Sequence, residues 1–276
     1  MRNRIIFNST FFLIIILFFA ISCKEGCLDP NALNYDPNSK KSNDELCEYE
    51  NSNKKSLLLE LHHKFDNIDF NLDSIYHDDF GTMLKFNRAN FYVSKNCFLN
   101  INNICFDDSV KYLLIDPSNS EYNIGYLDKD LENISVEFQV GVDSISNHTD
   151  PAFYQSNNPL AYQSPSMHWQ MGNSPQDWSY LFIVAEGIAD LNSNGIFEAG
   201  EIFVFHIGGD SFRCNSNEVS CDVTQLNAET KIKVNINWAN LINDIDIKSS
   251  NFTHTMDNLP LAQKISDNCG NLISEY

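Results

Sequence analysis

Hydrophobic and polar residues alternate in short runs along most of this chain, at the two-residue period of a strand that buries one face. Such runs occupy residues 57–62, 84–93, 111–115, 134–142, 180–186, 202–207 and 230–236, and they are rich in β-branched and aromatic side chains. Turn residues separate them, among them Asp116-Pro117-Ser118-Asn119 and Asn157-Asn158-Pro159. No segment sustains a helical stripe over three turns; 126–133 and 238–245 have room for short helices. The pattern predicts an all-β domain over 56–276, an antiparallel β-sandwich or barrel with long loops. In the first run, His62 and His63 fall on opposite faces, so at most one of them can face a site.

Residues 1–22 break the alternation. Arg2 and Arg4 precede a continuous apolar run over 11–19, the basic and apolar regions of a secretory leader. The run ends in Ala20-Ile21-Ser22-Cys23, which resembles a bacterial lipobox and predicts lipidation of Cys23 after cleavage. No second apolar run of spanning length follows, so the expected partner is a membrane held through the lipid rather than crossed. The expected location is the bacterial outer membrane, with the protein periplasmic or surface-exposed.

Charge narrows the partners. The formal net charge is −19, and removing a leader with two arginines and no acid makes the mature chain more acidic still. Phosphate recognition needs clustered Lys and Arg, so nucleic acid is excluded as a partner. With Cys23 assigned to lipid, the other cysteines lie in a compartment that permits disulfides, and their spacings are not those of zinc sites. Proximity pairs Cys27 with Cys47, Cys97 with Cys105, and Cys214 with Cys221; Cys269 is left free or displaces one of these pairings. Residues 23–55 form a small unit whose C-x-DP-x-A-x-NYDP…C pattern resembles a short repeat of surface proteins of Bacteroidota. It is too short for a core of its own and reads as a disulfide-closed spacer.

One loop carries chemistry. Between the runs at 180–186 and 202–207, Asp190, Asn192, Asn194, Gly195 and Glu201 fill the pattern D-x-[DN]-x-[DN]-G-x5-E. Calcium requires several hard oxygens from one flexible loop. Asp190, Asn192 and Asn194 offer side-chain oxygens, Ile196 its carbonyl, Glu198 a water-mediated contact and Glu201 a bidentate carboxylate. The flanking runs are strands, so loop 190–201 is expected at the tip of a β-hairpin, where calcium would staple the fold. Enzyme signatures are missing: there is no G-x-S-x-G, no phosphate-cradling glycine loop and no H-E-x-x-H, and the chain does not read as an enzyme.

Six stretches, in order, resemble the MbnP-like family of extracytoplasmic copper-binding proteins: FYVSKNCFL, KYLLIDPSN, ISVEFQVGVDSISNH, MHWQM, SYLFIVAEG and FVFHIGG. The resemblance implies a β-rich domain with a copper site. In some relatives a tryptophan, oxidised to kynurenine by a di-haem partner enzyme, serves as a ligand. Here it implies His148, His168, Trp169 and His206 as copper ligands, with Trp169 the residue to be oxidised and Met167 and Met171 beside it. The expected function is copper capture or delivery by a lipoprotein with a structural calcium site. The alternative is a calcium-stabilised surface structural, adhesion or ligand-binding module without copper.

Overall fold

The computed structural model describes residues 25–276 except 31, 44–45, 48–54, 100–103, 106–111, 128–129, 132–133, 171 and 227, and omits the side chains of 95–99, 104 and 105. The expected leader, the expected lipidation site Cys23 and Met171 therefore lie outside the described residues. The chain divides into two compact units, Met1–Asn53 and Lys54–Tyr276. In the first, Glu25–Gly26 pairs in parallel with Lys41–Ser42, and a disulfide joins Cys27 to Cys47 around a buried Ala32.

The second unit packs two sheets around one hydrophobic core. Its principal strands are β1 (Lys55–Phe65), β2 (Met83–Leu99), β3 (Tyr112–Ile115), β4 (Glu121–Leu127), β5 (Ser135–Val140), β6 (His168–Gln170), β7 (Trp178–Ala189) and β8 (Ile202–Gly208). They continue with β9 (Asp222–Gln225), β10 (Glu229–Asn237), β11 (Phe252–Thr253) and β12 (Ile273–Glu275). The larger sheet runs β5-β2-β7-β8-β11, with β3 also on β2 and β6 on β7. The smaller runs β9-β10-β1, with β4 on β1 and β12 on β10. Phe65 of the smaller sheet meets Phe86 of the larger at 6.1 Å between ring centroids, and Trp238 packs on Phe91 at 5.6 Å, so aromatic side chains fill the space between the layers.

The alternation explains the strands. In β10, Thr230, Ile232, Val234 and Ile236 are buried while the residues between them are half-exposed. Two pairings depart from the antiparallel expectation: β10 lies parallel to β1, and β11 parallel to β8. Alternation sets which face a residue takes but is blind to strand direction. Residues 126–133, with room for a short helix by composition, begin inside β4, whose Ile124 and Leu127 are buried. Beside the short helices α1 (Ser144–Asn147) and α2 (Trp238–Leu241), the longest helix among the described residues is α3 (Leu259–Asn268), too short for a three-turn stripe. Asn258 caps it, Pro260 sits in its first turn, and Leu261, Ala262 and Ile265 bury one face.

The pairing of Cys214 with Cys221 is corrected. Cys214 is bonded to Cys269 at the end of α3, and Cys221 is a free thiol. The reason is register. Cys214 stands opposite Val140 of β5, whereas the Cys221 amide donates to Ile134 at the other end of that strand. Six residues of strand span roughly 20 Å, against a bridgeable Cα separation of about 7 Å. For the remaining pair, the backbone sets Cys97 opposite Cys105 across a hairpin, and their side chains lie outside the described residues.

Candidate metal centre

The hairpin β7–β8 presents one face to the core and one outward. Phe203, Phe205 and Ile207 are buried, while His206 projects from the opposite side with Val204 and Ile202. At the outer edge of β8, Phe252 and Thr253 pair with Val204 and Phe205, and the chain then delivers His254 beside His206. Thr255, in a left-handed conformation at φ 64°, clamps this turn: its hydroxyl donates to the His206 carbonyl at 2.8 Å and accepts from the Gly208 amide at 3.0 Å.

The result is a pair of imidazoles 4.8 Å apart between centroids. Trp169 completes the group, 6.0 Å from the His206 ring and 5.9 Å from that of His254. Because β6 alternates, Trp169 and His168 face opposite ways: Trp169 is half-buried against the histidines, and His168 is buried against Tyr180 at 4.7 Å. Arg88 fastens the segment before β6, donating to the Ser166 carbonyl at 2.9 Å and to the Met167 sulfur at 2.8 Å. It also contacts Glu186, directly opposite it across β2 and β7.

Hydrogen bonding and burial set the electrostatics of the pair. Glu186 lies 2.6 Å from His206 Nε2 and accepts from Arg88 at 3.2 Å; the hydrogen bond shared with the histidine, with Arg88 adding to it, holds its carboxyl below the usual range despite partial burial. His206 Nδ1 is buried with no hydrogen-bond partner among the described residues. Burial, reinforced by the neighbouring His206, lowers the pKa of His254 against the pull of Asp257 and Glu186. A neutral imidazole is what a metal needs.

Of the two histidines expected as ligands beside Trp169, His148 is engaged elsewhere, and His168 faces the opposite way, its Nε2 buried and without a partner among the described residues. His148 follows a short helix, α1 (Ser144–Asn147), and its two ring nitrogens meet the Trp178 carbonyl at 2.9 Å and the Asp210 carboxylate at 3.3 Å. His168 belongs to the core, and burial pushes its pKa down to about 4. The residue that sequence reasoning missed is His254: it sits in Phe252-Thr253-His254-Thr255, and only a two-residue parallel pairing brings it to His206. Among the described residues, no three His, Cys, Asp or Glu side chains stand close enough to hold a metal by themselves. A complete shell at the histidine pair therefore needs a further donor, and Trp169 is the side chain beside both rings.

Loop 190–201 is tightly wound on its own oxygens. Buried Asp190 accepts from the amides of Asn194 at 3.0 Å and Gly195 at 2.8 Å, and Asn194 from that of Ile196 at 2.9 Å. Glu201 reaches back to the amides of Asn192 at 3.2 Å and Glu198 at 3.1 Å, while Asn192 donates to Glu198 at 2.7 Å. Gly195, at φ 80°, supplies the left-handed turn that folds the loop inward.

These features define a β-sandwich protein with a histidine pair and a tryptophan at the edge of one sheet. The MbnP family model matches residues 54–257, and the chain belongs to that family. Among solved structures it is similar to MbnP from Methylosinus trichosporium, at 11% identity and a TM-score of 0.50, covering 79% of this chain and 94% of that one. No curated protein matches the sequence.

Proposed function

We propose that this protein is an extracytoplasmic, lipid-anchored metal-binding protein that takes up copper at His206, His254 and Trp169 for capture or delivery. The observation that carries the reading is the imidazole pair 4.8 Å apart beside Trp169, with a buried His206 nitrogen that has no partner among the described residues. Two neutral imidazoles suit copper, and an oxidised Trp169 would supply the third donor. Bound copper would contribute its redox couple; the chain's own residues hold, shield and orient it. A di-haem partner enzyme is the expected oxidant of Trp169, and a mass change localised to that residue in native protein tests this. His206→Ala and His254→Ala should each abolish stoichiometric Cu(I) binding in a chelator competition while leaving the circular dichroism unchanged. His148→Ala should bind as the parent does. Copper retained by both His206→Ala and His254→Ala would defeat the assignment.

A second reading, a calcium-stapled surface structural or adhesion module, rests on the oxygens gathered by loop 190–201. Elemental analysis of protein from native membranes separates the two: copper near one equivalent supports the first, and calcium without copper the second.

A further inference from the structure

The two ring nitrogens of His206 have opposite surroundings. Nε2 meets a carboxylate oxygen of Glu186 at 2.6 Å, and Nδ1 is buried with no partner among the described residues. Glu186 is itself fixed: Arg88, facing it on the neighbouring strand, donates to the same oxygen at 3.2 Å. The Arg88 guanidinium is held in turn by Asn90 at 3.1 Å and by the Ser166 carbonyl at 2.9 Å. Asn90 donates onward to Asp116 at 3.2 Å, so a run of polar side chains backs the histidine.

We propose that Glu186, braced by Arg88, is a positioning residue that fixes the neutral His206 ring in its Nε2–H tautomer and makes Nδ1 the nitrogen that binds the metal. An ionised carboxylate only accepts, so it selects the tautomer with the proton on Nε2. The other tautomer would set a lone pair against a carboxylate oxygen and bury an N–H with no acceptor among the described residues, both of which are unfavourable. A carboxylate on the far nitrogen also raises the basicity of the ligating one and holds the ring plane, as carboxylates commonly do at metal-bound histidine. The same arrangement ties Trp169 to the site, because Arg88 grips both Glu186 and the segment leading into β6.

The metal half of this assignment rests on the copper reading; the tautomer half does not. Long-range 1H–15N correlation spectra of the metal-free, 15N-labelled protein at pH 8 read the tautomer without any metal. His206 is expected to show a protonated Nε2 and an unprotonated Nδ1. Glu186→Leu should give a mixture of tautomers and weaken Cu(I) binding, measured with Cu(I) alone against a chromophoric chelator, by about 10–100-fold. Glu186→Gln, whose amide oxygen can still accept, should keep the tautomer and most of the affinity. A wild-type ring protonated on Nδ1, or a Leu variant with unchanged tautomer and affinity, overturns the Glu186 assignment. A wild-type protein with the expected tautomer that takes up no Cu(I) overturns the copper reading and the metal half with it.

Discussion

His63 shows how one residue couples burial to pH. It lies on the inward face of β1, accepts from Trp238 Nε1 at 3.1 Å, and burial lowers its pKa to about 4. Its neighbour His62 turns outward and pairs with Glu60 at 2.7 Å, as alternation demands. The folded state therefore binds fewer protons at His63 than the unfolded chain, whose histidine titrates near 6.5. Its contribution is fully present above pH 6.5 and is lost as the pH falls through 4, a loss of about 3 kcal/mol by linkage. Thermal melts at pH 8, 6 and 4.5 should fall progressively, and His63→Gln, which keeps an acceptor for Trp238, should flatten part of that fall. At the same scale, the histidine positions were legible in the sequence but their grouping was not. His148, His168 and His206 read alike as candidates, yet one is held by Asp210, one is buried beside Tyr180, and the third stands with His254.

The hairpin β7–β8 joins both candidate metal features, loop 190–201 at its tip and His206 on its outer face. The strands and the loop were readable because each signal is local: alternation for the strands, fixed ligand spacing for the loop. The site was not, because β6 and β11 contribute three and two paired residues, too few to carry a period. If the loop binds calcium, an ion that binds only the folded state raises its stability by mass action, about 2.7 kcal/mol at a hundredfold excess over Kd. Calorimetry should show a melting temperature that rises with calcium in the parent and stays flat in Asp190→Ala and Glu201→Ala. A parent indifferent to calcium would remove the ion from the loop. Gly187, next to Glu186, shows how closely these strands meet: a Cβ there would lie 2.0 Å from the Lys85 carbonyl oxygen.

Across the whole domain, the Cys214–Cys269 disulfide joins the edge of the larger sheet to the end of α3, closing a separation of 55 residues. In the chain-entropy picture a loop of that length is worth about 4 kcal/mol. Cys269→Ser, or reduction, should lower the urea midpoint accordingly, and Cys221→Ser should leave it nearly unchanged because that thiol bonds no other cysteine. A midpoint unmoved by Cys269→Ser would show that packing of α3, not the bridge, holds this corner.

The order of hydrophobic and polar residues by itself determined the β-rich class, most long strands and the face each residue takes, since these follow from a two-residue period acting locally. Ligand spacing alone set out the oxygens of loop 190–201. Only the tertiary structure decided that β1 and β10 run parallel, that Cys214 reaches Cys269 and that His254 joins His206 and Trp169. Each of those contacts joins segments tens to more than a hundred residues apart. Their partners are chosen by sheet order and register, which the packing of the whole core selects and no local pattern records.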